Sequence, residues 1–151
     1  MSTISKYEPR FDAGVQAVIR SGLESAGISP EKYPQVWEEV TPEYIENHYK
    51  GRAQFWVAIQ DENVVGTIAI DEKDEETAEI KRMYVSQALH GAGVGQQLLE
   101  TALEFARVHG YTKVYLETDG LMKRAHRFYE KNGFTVAMDY GDWQTYERLL
   151  T

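Results

Sequence analysis

The spacing of apolar side chains divides the N-terminal part of the chain into two helices and a connecting segment. Apolar residues recur at three- and four-residue intervals from Phe11 to Glu24, which predicts an amphipathic helix there. A second helix is predicted in residues 41–50, because Thr41 is a suitable N-cap and Pro42 then occupies the first helical position. Residues 27–40 are rich in turn formers and large aromatics, so we expect a long loop or a broken helix that shapes a pocket.

Runs of β-branched and aromatic residues predict a sheet that begins in the middle of the chain. Residues 54–60 and 64–71 flank a short polar segment, as in an antiparallel hairpin, and an acidic segment then leads to a third strand at 78–85. Polar and apolar positions alternate imperfectly in 78–85, which indicates a β-bulge. The remaining predicted elements are strands at 112–118, 134–140 and 143–150 and a short helix within 121–134 that Asn132 and Gly133 end.

Three glycines stand between a predicted strand and a long amphipathic helix. They are Gly91, Gly93 and Gly95. The preceding strand ends at Val85, and apolar residues from Val94 to Ala106 recur at helical spacing. Glycines at alternate positions allow the backbone to approach a ligand closely, and the N–H groups that open a helix attract anions. The sequence therefore predicts a phosphate-binding corner at this junction.

Length and composition favour one domain with its own core. The chain has 151 residues, of which 42% are hydrophobic, and this is enough for one α/β domain with little left for a second. No apolar run is long enough to span a bilayer, and the first ten residues lack the apolar core of a secretion signal. We therefore expect a cytoplasmic protein without a membrane partner.

Cysteine and charge content exclude several classes of function. The chain has no cysteine, which removes disulfides, thiolate nucleophiles and cysteine-based zinc sites. The four histidines show no metal-ligand spacing, so we predict no metal; they are His48, His90, His109 and His126. A net charge of −8 argues against a nucleic-acid partner, because such binding relies on clustered Lys and Arg.

Two motifs and the order of the predicted elements resemble one known family. Residues 90–95, HGAGVG, are similar to the pyrophosphate loop Q/RxxGxG/A of the GNAT superfamily of acetyl-CoA-dependent N-acetyltransferases. Residues 128–134, FYEKNGF, are similar to a signature near the end of that fold. The resemblance extends over nearly the whole chain. It implies a single α+β (mixed α/β) domain over residues 1–151, with a mostly antiparallel twisted sheet, a splayed parallel strand pair and about four flanking helices.

Two positions depart from the family's pattern. His90 stands where the family usually has Arg or Gln, and Met122 stands where many members have Asn. His90 can donate a hydrogen bond to phosphate, and its ordinary pKa of about 6.5 predicts a mildly pH-dependent affinity for the cofactor. Met122 can neither cap a helix nor hydrogen-bond to coenzyme A.

The resemblance also implies where acetyl-CoA would bind as a co-substrate. The strand ending at Val85 would splay away from residues 112–118, with the pantetheine arm in the gap and a backbone N–H of Tyr84 or Val85 stabilising the oxyanion. The diphosphate would accept hydrogen bonds from the N–H groups of residues 91–96. The predicted cofactor-binding residues are Met83, Tyr84, Val85, His90, Gly91, Ala92, Gly93, Val94, Gly95 and Gln96.

Acetyl transfer to an amine needs a base for the amine and an acid for the departing thiolate. Glu79 matches the position of a catalytic glutamate in some members of the family, where it would act through water. Tyr129 matches a tyrosine that many members place near the sulfur of coenzyme A. Structural alternatives stay open for both residues: Glu79 as a solvated or ion-paired strand residue, and Tyr129 as part of a buried helix face.

Other polar and aromatic residues receive a structural interpretation. Glu38 and Glu39 are interpreted as a solvated acidic pair, and His126 with its basic neighbours Arg124 and Arg127 as surface. Several aromatics are interpreted as core, with the wall of an acceptor pocket as the alternative: Tyr33, Trp37, Tyr44, Tyr49, Trp143 and Tyr146.

The sequence leaves the acceptor and the class of function partly open. A small-molecule amine or an amino acid is the first expectation, a protein lysine or N-terminus is the second, and a homodimer remains open. A non-catalytic acetyl-CoA-binding module would have the same fold. A Rossmann dinucleotide enzyme is disfavoured, because GxGxxG started at Gly91 would require glycine at Gln96.

Overall fold

Seven strands form one mixed sheet in this computed structural model, which describes residues 2–151. The strands are β1 (Thr3–Lys6), β2 (Gln54–Gln60), β3 (Asn63–Glu72), β4 (Thr77–Val85), β5 (Lys113–Asp119), β6 (Thr135–Asp139) and β7 (Trp143–Leu149). Their order is β1-β2-β3-β4-β5-β7-β6, and β4·β5 is the parallel pair among otherwise antiparallel neighbours. The predicted fold class, a mostly antiparallel sheet with one parallel pair, is confirmed.

The parallel pair opens along its length. β4 and β5 are paired from Thr77 opposite Lys113 to Ile80 opposite Leu116, and the rest of β4 has no strand partner on that side among residues 2–151. A β-bulge follows directly, because the register between β3 and β4 shifts between Thr67 and Ala69. A bulge bends its strand and increases the local twist. The imperfect alternation in residues 78–85 therefore marked the place where the sheet opens.

Two hydrophobic clusters cover the two faces of the sheet. The helices are α1 (Asp12–Ser25), α2 (Pro34–Glu38), α3 (Pro42–His48), α4 (Val94–Val108) and α5 (Lys123–Lys131). Successive residues of β2 point to opposite faces, so Phe55 packs with the apolar stripe of α1 and Trp56 with that of α4. α3 begins as predicted, since the Thr41 hydroxyl accepts from the Tyr44 N–H at 3.2 Å.

The N-terminal strand β1 is the element that the sequence pattern misses. It is short, only half-buried, and pairs with the edge of β2 from Thr3 opposite Ile59 to Lys6 opposite Trp56. Tertiary pairing rather than local pattern decides such a strand. The expected number of helices was also low by one, because residues 27–40 form the broken-helix alternative: a helical turn at Pro30–Lys32 followed by α2.

Candidate active site

A cleft of about 510 Å³ lies where β4 and β5 part, and we call it the β4–β5 cleft. Its walls are the second half of β4, the end of β5, the segment around α2 and the start of α5. Glu79, Met83, Tyr84 and Tyr129, which the sequence predicts as site residues, all line it. The structure therefore brings both proposed catalytic side chains to one cavity of the size that small molecules occupy.

The glycine segment forms a left-handed turn that opens α4. Gly91 has φ 85° and Gly93, the N-cap of α4, has φ 88°. Residues other than glycine rarely adopt these backbone angles. An added Cβ at either position would meet no atom within 4 Å, so the backbone is open to a ligand. At Gly95 an added Cβ would contact Val85 and Phe128 at 3.6 Å, which places the turn against the end of β4 and α5.

Most of the predicted phosphate donors are unengaged. The first N–H groups of a helix have no intrahelical acceptor, and the first helical bond of α4 is Gln97 N–H to Gly93 C=O at 3.0 Å. Ala92 is different, because its N–H already donates to the Leu89 carbonyl at 3.1 Å. Within residues 2–151, backbone N–H groups without a backbone acceptor remain at Gly91, Gly93, Val94, Gly95 and Gln96.

His90 departs from its expected role as a partly charged phosphate donor. Its Nε2 lies 3.1 Å from the Val85 carbonyl oxygen, and because a carbonyl only accepts, Nε2 carries the proton. Burial and the nearby Arg124 lower the pKa of His90, although the Val85 bond opposes this. The lowered pKa favours the neutral imidazole, so His90 should affect cofactor affinity at lower pH than its ordinary pKa predicts, and this pH dependence stays a prediction.

The end of β4 turns one backbone N–H towards the open side of the sheet. Ser86 N–H donates to the Val65 carbonyl at 2.8 Å, so this pair belongs to the hydrogen-bonded positions of the β3–β4 ladder. Antiparallel ladders alternate, so Val85, opposite Gly66, has its N–H and C=O directed away from β3. Of the two predicted oxyanion donors, the geometry favours Val85 over Tyr84.

Glu79 is a half-buried carboxyl group on β4. It lies opposite Asp71 on β3 and Tyr115 on β5. Burial raises the pKa of Glu79; Lys81 opposes the rise and Glu117 adds to it. A carboxyl group with a raised pKa is better matched to accept a proton near neutral pH than an exposed one.

Tyr129 has a buried ring in a cluster with Phe134 and Tyr146, and it also lines the cleft. The structural and functional interpretations of this residue are therefore compatible. Burial, with a smaller contribution from Tyr84, raises the pKa of its hydroxyl above the usual value. The phenol stays protonated, as a proton donor must.

Asp119, which the sequence analysis did not single out, ties the two walls of the cleft together. This buried carboxylate accepts from Lys32 Nζ at 2.8 Å, from the Tyr33 hydroxyl and from the Leu121 N–H at 2.8 Å. Burial acts to raise the pKa of Asp119, but these hydrogen bonds outweigh it and the pKa is lowered. The contacts join the segment before α2 to the end of β5.

Asp119→Asn is expected to lower the free energy of unfolding by about 1–3 kcal/mol at pH 7, because a buried charge-assisted cluster loses its anion. A lowered folded-state pKa stabilises the fold above the unfolded pKa, and this contribution disappears as pH falls through the folded value. The free energy of unfolding in urea should therefore differ between wild-type protein and Asp119→Asn by less at pH 3 than at pH 7. Asp142→Asn, at an exposed position, is the control, and an equal loss in both variants would contradict this role.

Three interpretations of polar and aromatic residues change. Glu39 is not solvated surface: it is half-buried, bonds to Arg82 at 3.1 Å and lines the cleft. His126 is buried, not exposed, and its Nε2 donates to the Asp119 carbonyl at 3.0 Å. Of the six aromatics offered as pocket walls, Tyr33 and Trp143 are among the residues that line the cleft.

Residues 2–151 contain neither a metal-binding cluster nor a helix that could span a membrane. No group of three or more His, Asp or Glu side chains there is placed to hold a metal ion. No helix in the same residues is long and apolar enough to cross a bilayer.

Comparison with known proteins identifies the family. The profile of the acetyltransferase (GNAT) family matches residues 25–134, which include the glycine turn and most of the residues that line the cleft. The chain belongs to the GNAT family. Its fold matches an acetyltransferase from Streptococcus agalactiae with a TM-score of 0.86 and 29% identity, over 99% of this chain and 98% of that one. It also matches the PaiA N-acetyltransferase from Thermoplasma acidophilum, solved with coenzyme A, with a TM-score of 0.84 and 23% identity over 99% of each chain.

Curated relatives of this GNAT protein are longer than the chain. Human N-acetylaspartate synthetase is 43% identical over 81 residues, which are 53% of this chain and 27% of that protein. Rat N-acetyltransferase 8B is 34% identical over 107 residues, which are 68% of this chain and 47% of that protein. The chain therefore spans about a quarter to a half of the length of these two relatives.

Proposed function

We propose that this GNAT protein is an N-acetyltransferase that moves acetyl from acetyl-CoA to a primary amine of a small molecule or amino acid. The observation that carries the proposal is the row of unengaged N–H groups at the start of α4, next to the place where β4 and β5 part. Such a row with the positive end of a helix behind it is suited to a diphosphate. The family uses acetyl-CoA, which contains one.

The cofactor fits the protein at three places. The diphosphate accepts from the N–H groups of Gly91 and Gly93 and from the opening turn of α4, while Arg124 near His90 adds positive charge. The pantetheine arm follows β4 from Val85 towards Met83, in the gap that β5 leaves open. The thioester then reaches the cleft that Tyr129 lines.

The reaction is direct attack in a ternary complex. The amine nitrogen attacks the thioester carbonyl carbon, and the Val85 N–H stabilises the negative oxygen. Glu79 removes the amine proton through water. When the carbon–sulfur bond breaks, the Tyr129 hydroxyl donates a proton to the departing thiolate, so the products are an amide and free coenzyme A.

The size of the cleft supports a small acceptor. A volume of about 510 Å³ is in the range of small-molecule sites, and the contacts of Asp119 with Lys32 and Tyr33 close one side. One relative is named N-acetylaspartate synthetase, and N-acetylaspartate is the acetylated form of an amino acid. A single domain, a cytoplasmic location and a homodimer stay predictions.

The test is release of free thiol from acetyl-CoA with a panel of amines and amino acids. We expect turnover that saturates in both substrates. A non-catalytic module would bind acetyl-CoA, detected by calorimetry, without releasing thiol in the presence of any amine. That result would contradict the proposed function.

Glu79→Gln is expected to lower kcat about 100-fold and to remove one limb of the pH profile. The base is active when deprotonated, so wild-type activity falls as pH drops through the pKa of Glu79, which lies above its usual value. The measurement is kcat against pH with one acceptor, so that the acceptor's own titration is common to all variants.

Glu117→Gln serves as the matched comparison for Glu79. Loss of the Glu117 charge removes a contribution that raises the pKa of Glu79, so the acid limb should move to lower pH with little change in the plateau rate. An unchanged acid limb in Glu79→Gln would exclude Glu79 as the base.

A further inference from the structure

Arg82 is a cation of the β4–β5 cleft whose hydrogen-bonding capacity is not used up. Its Nη2 donates to Oε1 of Glu39 at 3.1 Å, and its side chain is only 15% exposed. Its Nε–H is buried and has no acceptor within residues 2–151. A guanidinium has five N–H donors, and a buried donor without an acceptor is unfavourable, so a ligand group that accepts hydrogen bonds is favoured here. The positive charge of Arg82 makes a negative group the stronger partner.

The backbone of Arg82 is held in a conformation that is rare for its residue type. Its φ is 56°, in the left-handed region, at the bulge where β4 departs from the register of β3. Its carbonyl accepts from the hydroxyl of Thr67 at 2.6 Å, and Thr67 is fully buried. Strain of this kind persists only where the surroundings hold it, and it concentrates at ligand sites.

Among the charged residues that line the cleft, Arg82 is the best suited to bind an anion. Lys81 also lines the cleft, but its Nζ donates to Asp71 at 3.1 Å. The remaining charged groups in the described lining are carboxylates, at Glu39, Glu79, Glu117 and Asp119. An acceptor that enters therefore meets carboxylates suited to its ammonium group and one guanidinium suited to a negative group.

Arg82 is also close to the proposed reacting atoms. Val85 N–H, the proposed oxyanion donor, is three residues further along β4, a separation of about 10 Å or less in extended backbone. One short molecule can therefore place a negative group on Arg82 and its amine at the thioester.

We propose that Arg82 binds a carboxylate of the acceptor, so that the preferred acceptor is an amino acid or another short amine that carries a carboxylate near its amino group. The planar fork of the guanidinium matches a carboxylate, which a lysine ammonium would hold only as a point charge. This inference rests on the proposed acetyl transfer, and it assigns the substrate class and one specificity residue.

The test compares amino acids with their carboxamides, which keep the amine and the size but lose the negative charge. With wild-type protein, kcat/KM should be about 10- to 100-fold higher for the carboxylate form. Arg82→Gln should remove that preference, because it lowers kcat/KM for the carboxylate form much more than for the carboxamide. Arg82→Asn is the second variant, because asparagine tolerates positive φ and preserves the bulge.

Lys81→Gln is the matched control, since it removes one positive charge from the same wall and should keep the preference. The inference is overturned if wild-type protein does not prefer the carboxylate, or if both Arg82 variants lower activity on both forms equally, as a purely structural role requires. Thiol release without a carboxylate preference overturns the role of Arg82 alone. Failure to bind acetyl-CoA in calorimetry overturns the proposed function as well.

Discussion

Gly93→Ala is expected to lower the affinity for acetyl-CoA about 100-fold. Gly93 has φ 88° and is the N-cap of α4, so a Cβ there disfavours the turn that directs the N–H groups outward and also occupies the space open to the ligand. Loss of about two charge-assisted hydrogen bonds to the diphosphate accounts for a change of this size. The measurement is calorimetric titration with acetyl-CoA.

Gly110→Ala is a matched control at the other end of the same helix. Gly110 follows the C-terminal end of α4, has φ 84°, and an added Cβ there also meets no atom within 4 Å. The two variants should lose similar stability, because alanine in the left-handed region costs about 1–2 kcal/mol at either end. Affinity for acetyl-CoA should fall only in Gly93→Ala. An equal loss in both would indicate general destabilisation.

Tyr129→Phe is expected to lower kcat about 100-fold while the melting temperature and the KM for acetyl-CoA change little. The substitution removes only the hydroxyl, and the ring stays packed against Phe134 and Tyr146. Because burial raises the pKa of Tyr129, wild-type kcat should show no decline from its ionisation between about pH 7 and 9. Steady-state thiol release and thermal unfolding are the measurements.

Tyr146→Phe separates catalysis from packing. Tyr146 belongs to the same buried cluster, but its hydroxyl donates to Glu130 at 2.8 Å, and the ring is not among the residues that line the cleft. This control should keep kcat near the wild-type value. When the acyl donor has a more acidic thiol, the departing thiolate needs less protonation, so Tyr129→Phe should lose less kcat with that donor. Equal deficits in the two variants would contradict the role of Tyr129 as the acid.

Local sequence pattern was sufficient for most of the fold. The strand at residues 54–60 was predicted with its observed limits, and the glycine-led helix begins where the apolar periodicity begins. The bulge in β4 was indicated by its imperfect alternation. These features depend on neighbours in sequence. β1 was missed because a short strand with one large apolar residue is defined by its pairing with β2.

The candidate site was only partly predictable, because several of its contacts join distant segments. Glu79 was selected by its position in the strand of residues 78–85 and Tyr129 by the FYEKNGF motif, and both line the cleft. The pairing of Arg82 with Glu39 crosses 43 residues, and the bond of Lys32 to Asp119 crosses 87. No local pattern reports such pairs. For Arg82 the sequence contains one indication, because the predicted bulge lies in the strand that contains this residue.

Acetyl transfer by this protein depends, in our proposal, on the N–H groups that open α4 and bind the diphosphate of acetyl-CoA. The most direct measurement is a titration of isotope-labelled protein with acetyl-CoA, followed through the backbone amide NMR signals. If the diphosphate binds there, the amide signals of Gly91, Gly93, Val94, Gly95 and Gln96 shift together, with one dissociation constant that agrees with calorimetry. Saturation of the protein while these amide signals stay in place would contradict it.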